Sequence, residues 1–147
     1  MVGLGVVLFR QQANGFHGGH AADAGGSVRL GPRATAAIEA AVSAGEAAFS
    51  AISVWETAML VREGRYALDI PIDRWCADLI AAGLVEAPLD AVAAGQAAGL
   101  PDLHEDPADR MIAATAMRLG AQLVTPDARL IEWFAQDGRT AALDARS

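Results

Sequence analysis

Residues 102–127, DLHEDPADRMIAATAMRLGAQLVTPD, constrain this chain more than any other stretch. Asp106 and Pro107 read as an N-cap and a first helical residue. An aspartate side chain accepts an orphan helical N–H, and the fixed φ of proline suits the first turn. Met111, Ile112, Thr115, Ala116 and Leu119 recur at helical spacing, which predicts one apolar face, and Gly120 stops the helix. Gln122 to Thr125 is then a short strand of the buried type, with Asp127 just past its carboxyl end. In open α/β sheets that edge is where ligands and catalytic groups collect. Asp109 sits in the first helical turn, so it approaches Asp127 if helix and strand pack as neighbours. Two carboxylates converging at a strand end suggest a divalent metal site.

The rest of the chain alternates in the same way. Gly31-Pro32 opens a helix through about Ser43, with Ile38 and Val42 as its i, i+4 apolar pair and Gly45 closing it. Ala47 to Ile52 suits a buried parallel strand, and Ser53 to Glu56 has the spacing of a capping box at the start of a helix running to Gly64. Asp73 caps a helix up to Gly83 that carries Trp75, Leu79 and Ile80. Leu84 to Ala87 is a brief extended piece before Pro88, and Asp90 caps a further helix ending at Gly99. After Asp127 come a helix with Leu130, Ile131 and Phe134 and a last strand around Arg139 to Leu143. Strands alternating with helices imply an α/β fold with a central parallel sheet covered on both faces and right-handed crossovers.

At 147 residues the chain fits one domain, with no linker or internal repeat dividing residues 30–147. Residues 1–29 stand apart. Val2 to Phe9 is an apolar run that suits a strand, but QQANGFHGGHAADAGGS after it has neither helical nor strand periodicity and reads as loop. His17 and His20 offer two nitrogens to a metal, with no third ligand nearby. No apolar run reaches the ~18 residues of a membrane helix, and Met1 to Phe9 lacks the charged start and cleavage signal of a secretory peptide. A soluble cytoplasmic protein is the expectation. The single cysteine, Cys76, excludes an internal disulfide and reads as a small buried residue.

A net charge of −7 argues against gripping nucleic acid through a broad electrostatic field. It leaves room for a nuclease, because bound cations partly cancel the charge of an acidic metal site. All eleven basic residues are arginine, which forks onto phosphate as lysine cannot.

Each acid has a structural explanation as well as a chemical one. Glu56 at the third helical position bonds back to the cap, Asp106 is an N-cap, and Asp127 is a turn residue or the cap of the next helix. Yet Glu56, Asp109 and Asp127 all follow strand ends or open helices at one edge. Three such carboxylates repel one another by roughly a few kcal/mol unless a cation sits among them. Oxygen ligands of this kind favour Mg²⁺ or Mn²⁺, and the chemistry they suit is phosphodiester hydrolysis. Thr125 offers a hydroxyl beside Asp127, and Arg110 either steadies a phosphate or pairs with Asp106.

The segment SAISVWETAMLVREGR followed by LHEDPADRMIAATAMRLGAQLVTPDARL resembles the PIN-domain ribonucleases, specifically the VapC-type toxins of type II toxin–antitoxin pairs. The likeness runs over about residues 30–145. It implies a three-layer α/β/α domain with a central parallel sheet and a Mg²⁺-dependent endoribonuclease site, with Mn²⁺ as the alternative ion. It also implies a cognate antitoxin and a homodimer. The family's acids fall on Glu56, Asp109 and Asp127 as metal ligands, with Thr125 beside the last, and His104 and Asp106 lie on the motif's flank.

The front of the chain departs from that pattern. The family's first strand ends in a metal-binding aspartate, whereas Val2 to Phe9 is followed by Arg10, and Asp23 is the only acid before Glu39. The change at Ser27 to Leu30 suggests a reading-frame or start-site artefact or a decayed gene joined to an otherwise intact toxin. The rival function is therefore a catalytically silent PIN-like module that still binds antitoxin or dimerises. A phosphatase with an aspartyl nucleophile is a weaker third reading, since it too needs an acid after the first strand. Helices near 54–63 and 74–82 carry Trp55, Met59, Leu60, Trp75 and Leu79, which suit a groove that accepts a partner helix and, equally well for most of them, core packing.

Overall fold

Short apolar runs bounded by Gly, Pro and Asp build the sheet of this protein. In the computed structural model, which describes residues 7–9, 30–136 and 141–147, the strands are β1 (Val7–Phe9), β2 (Ala47–Ser50), β3 (Val85–Ala87), β4 (Gln122–Thr125) and β5 (Ala142–Asp144). They form one sheet in the order β3-β2-β1-β4-β5. The helices are α1 (Pro32–Ser43), α2 (Ala51–Arg62), α3 (Ile72–Ala81), α4 (Ala91–Ala98), α5 (Pro107–Leu119) and α6 (Ala128–Phe134). His17, His20, Asp23 and Arg10 lie outside the described residues.

Strand alternation sends side chains to opposite faces, and two cores result. Phe49, Val124 and Leu143 meet α1 and α3 through Ala34, Ile38, Trp75 and Leu79. Ala87, Leu123 and Ala142 meet α5 and α6 through Ile112, Ala116, Leu130 and Trp133. This is the expected α/β/α layering. α4 lies outside the second layer, packing Ala93 and Ala97 on Ala114 of α5. Helix α5 is thus held on two sides, which accounts for its buried residues at Ala108, Asp109 and from Ile112 to Ala116. Leu119, expected on the apolar face, is instead 42% exposed at the helix end.

One feature of the sheet differs from the all-parallel expectation. β2 pairs with β3, and β4 with β5, in parallel, but central β1 runs antiparallel to both its neighbours, Val7 opposite Phe49 and Val124. The carboxyl end of β1 therefore lies at Ala47 and Gln122, away from the edge where β2 and β4 end. Backbone ladders form in either direction, and nothing in a Val-Leu-Phe strand selects one. The other four strands still deliver Ser50, Ala87, Thr125 and Asp144 to a common edge.

Smaller corrections are local. The helix expected at Ser53 begins at Ala51, with Ser50 as its cap. The N-cap of α3 is Pro71 rather than Asp73, which lies in the first turn. Cys76 is only partly buried against the first core. Among the described residues no helix is long and apolar enough to cross a membrane.

Candidate metal centre at the sheet edge

The turn from β4 into α6 is built from its own side chains. Thr125, 2% exposed, accepts the Asp127 N–H on its Oγ1 at 3.1 Å. Asp127 in turn caps α6, its Oδ1 accepting the Arg129 N–H at 2.8 Å. Beside it Asp106 caps α5, its Oδ1 accepting the Asp109 N–H at 3.2 Å. Both helices thus begin at the same sheet edge, and their first turns bring the acids together.

Asp109 is 9% exposed, and His104 Nε2 lies 2.6 Å from its Oδ2. One ligand atom from each of His104, Asp109 and Asp127 lies within 4.8 Å of the others. Ligands around a small divalent ion with bonds of about 2.1 Å stand roughly 3–4.2 Å apart, so a small contraction would let the three share one ion. The donor set fits a divalent metal. Two anionic oxygens suit Mg²⁺ or Mn²⁺, and an imidazole nitrogen leans the set toward the latter.

Glu56 and Asp106 are not members of that group of three. Glu56 is the sixth residue of α2, and the expected bond from its side chain to a Ser53 cap does not arise, because Ser50 Oγ accepts the Ile52 N–H at 3.1 Å. Ser53 lies buried inside the helix, its carbonyl accepting the Thr57 hydroxyl at 2.9 Å. The helix-start explanation for a glutamate at this position is therefore removed. Electrostatically Glu56 belongs with the others. Its carboxyl is pushed up to about 7, first by burial and then by the charges of Asp109 and Asp106.

Asp109 is also raised above its ordinary value. Burial is the main cause, and the His104 hydrogen bond opposes it. Asp127 goes the other way: burial works against its charge, but the Arg129 side chain and backbone bonds outweigh it and hold the carboxyl low.

A pH dependence follows from Glu56. A carboxyl raised in the folded state favours folding below its unfolded value near 4.5, and that contribution is lost as pH climbs through about 7. The full shift corresponds to about 3 kcal/mol, which solvent screening of this half-buried group reduces to about 1–2 kcal/mol. In chelator, thermal melts from pH 5 to 8 are expected to show Glu56→Gln losing less stability than the parent chain. Parallel curves would remove Glu56 from the coupled acids.

Arg110 does not pair with Asp106 and does not face a phosphate. All of its N–H groups are saturated by backbone carbonyls: Nε by Ala97 at 2.9 Å, Nη1 by Leu103 at 2.7 Å and His104 at 3.3 Å, Nη2 by Leu100 at 2.8 Å and Ala98 at 3.2 Å. It ties the carboxyl end of α4 to the loop that carries His104. Arg129, which no helical or strand periodicity singles out, is among the described residues the arginine at the acids. Its Nη2 lies 3.1 Å from Asp127 Oδ2 and 3.7 Å from Asp109 Oδ2. The signal was local: an Asp-x-Arg at a helix start puts the guanidinium within reach of the capping carboxylate.

The proposed partner groove changes as well. Trp75 and Leu79 are buried in the first core, while Trp55, Val61 and Ile80 remain exposed.

The PIN-domain family model matches residues 29–133. This chain belongs to the PIN-domain family. Among curated proteins this PIN domain is similar to Ribonuclease VapC22 of Mycobacterium tuberculosis, with 40% identity over 102 residues that cover 69% of the chain and 76% of that protein. The resemblance to VapC-type ribonucleases seen in the sequence motifs is borne out. No solved structure matches the chain.

Proposed function

We propose that this PIN domain is a divalent-metal-dependent endoribonuclease of the VapC type, acting in the cytoplasm as the toxin of a toxin–antitoxin pair. The observation that carries the reading is the convergence of Asp109 and Asp127 with His104 at the carboxyl edge of the sheet, in a chain of this family. Asp109 and Asp127 hold the ion, Mg²⁺ or Mn²⁺. His104, whose Nε2 lies 2.6 Å from Asp109 Oδ2, would supply the third donor, and Thr125 fixes the turn that presents Asp127. When bound, the ion supplies Lewis acidity that polarises a phosphate and eases deprotonation of water. Glu56, with a carboxyl poised at about 7, either completes the ligand set or takes the proton of the attacking water at its carboxylate. The substrate is RNA in single-stranded or loop form, whose backbone is open to an edge site of this kind.

The alternative, a silent PIN module, draws on the direction of β1. Its carboxyl end lies at the opposite edge, so among the described residues that strand brings no acid to the cluster. Calorimetry with Mn²⁺ and Mg²⁺, run beside cleavage of a mixed-sequence single-stranded RNA with and without chelator, separates the two. The nuclease binds the ion and loses cleavage with chelator; a folded protein that binds neither ion is the silent module. The antitoxin is tested by co-purification with the product of the adjacent gene, and the homodimer by sedimentation. Retention of nothing in the first would count against the toxin–antitoxin assignment.

A further inference from the structure

Arg129 stands where its charge conflicts with the role given to its partners. Its side chain is 62% exposed, while those of Asp109 and Asp127 are 12% and 18% exposed. The guanidinium therefore lies on the solvent side of the two acids, across the mouth of the site. It grips Asp127 in a fork, Nε at 3.3 Å from Oδ1 and Nη2 at 3.1 Å from Oδ2. The same Nη2 reaches Asp109 Oδ2 at 3.7 Å. The oxygens it faces are those a divalent ion would need, and His104 Nε2 already lies 2.6 Å from Asp109 Oδ2.

A guanidinium and a divalent ion on the same pair of oxygens repel each other at a few ångströms. Binding of one therefore weakens the hold of the other. The exposed side chain of Arg129 is free to swing into solvent, whereas Asp127 is held as a helix cap by the Arg129 backbone N–H. A fork donor released at the mouth matches the geometry of a phosphate's oxygens. Among the described residues, Arg110 is committed to five carbonyls, Arg118 to Asp90, and Arg146 to Asp144 and the Pro126 carbonyl.

The geometry points to Arg129 as a built-in counter-cation that the divalent ion displaces from Asp109 and Asp127, and that then binds a backbone phosphate of the RNA. It rests on the proposed metal site and adds two consequences to it. Metal and Arg129 compete, and metal binding primes the chain for substrate.

The test uses the full chain, as wild type, Arg129→Gln and Arg129→Lys, with circular dichroism to confirm equal folding. Mn²⁺ affinity is read by calorimetry. Binding of a fluorescent mixed-sequence single-stranded RNA is read by anisotropy in Ca²⁺ and again in chelator. Exposed ion pairs of this kind are worth up to about fivefold in an equilibrium constant. Arg129→Gln is expected to bind Mn²⁺ about twofold to fivefold more tightly and to bind RNA in Ca²⁺ more weakly by a similar factor. Arg129→Lys, which keeps the charge without the fork, is expected to stay nearer the wild type in Mn²⁺ affinity while losing RNA affinity. Unchanged or weaker Mn²⁺ binding by Arg129→Gln, with the wild type binding normally, overturns the competition and leaves the metal site standing. Unchanged RNA affinity overturns the phosphate role. If neither wild type nor Arg129→Gln binds Mn²⁺, the metal site itself is wrong and this inference falls with it.

Discussion

Asp109→Asn is expected to cut metal-dependent RNA cleavage by roughly a hundredfold to a thousandfold, the range seen when one preorganised charge-stabilising group is removed from an active site, while leaving the fold intact. Asp109 is the carboxylate on which the other groups converge. His104 lies 2.6 Å from its Oδ2 and Arg129 3.7 Å from the same atom. Burial and the neighbouring acids raise its carboxyl, so the charge needed to hold an ion is carried at a cost in folding free energy. The amide keeps the size and can still hydrogen-bond the imidazole, but it brings no charge to the ion. The sign of the stability effect follows. A carboxyl raised in the folded state opposes folding once pH exceeds its folded value, so in chelator near pH 8 the variant should melt at the same temperature as wild type or higher. Single-turnover cleavage, Mn²⁺ calorimetry and melting in chelator read the three parts separately. Wild-type cleavage by Asp109→Asn would place the chemistry elsewhere, and a lower melting point would make Asp109 a structural acid.

What was legible in the sequence was what is settled locally. The α5–β4 unit matches its reading closely. Asp106 caps the helix, Gly120 ends it in the left-handed region at φ 58, and β4 spans Gln122–Thr125. Each of those signals acts over a few residues. The start of α2 was misplaced because Ser50 and Ser53 offer the same local cap, and the choice is made by a neighbouring strand. β2 pairs with β3 only as far as Ser50 opposite Ala87, and Pro88 follows, so the ladder has no partner beyond that point and the helix begins there. The direction of β1 is another choice its own residues do not announce, since a Val-Leu-Phe strand ladders in either direction.

The site divides along the same line. Asp109 and Asp127 meet because two caps begin at one sheet edge, which the order of elements implies. His104 was assigned only to the motif's flank, yet it makes the closest side-chain contact to Asp109. A loop residue five positions before a helix acid has no periodicity to announce it. Trp75 and Leu79 read equally well as groove or core residues, and packing against the sheet decided for the core.

Arg110 shows how far a local reading can mislead, and it carries the largest expected loss of stability. At four residues from Asp106 on a helix, an ion pair is the natural inference, but the acceptors lie at 97–104, across the contact between α4 and α5. The last carbonyls of a helix have no partners within it, and a cation at that end also complements the helix dipole. Hydrogen bonds from a charged donor contribute about 1.5–3 kcal/mol each when buried. Several of these carbonyls are reachable by water, which lowers the sum. Arg110→Ala is therefore expected to destabilise the domain by about 3 kcal/mol, a fall of about 6–12 °C in melting temperature for a domain of this size. Arg110→Lys should recover less than half, because one ammonium cannot span acceptors arranged around a planar fork. Since the His104 carbonyl is among them, cleavage well below the melting point should also fall in Arg110→Ala, through loosening of the loop that aims His104 at Asp109. Wild-type melting in Arg110→Ala would mean that water replaces the fork at no cost. The loop would then be held by its other anchor, the Trp133 indole N–H donating to the Pro101 carbonyl at 2.8 Å.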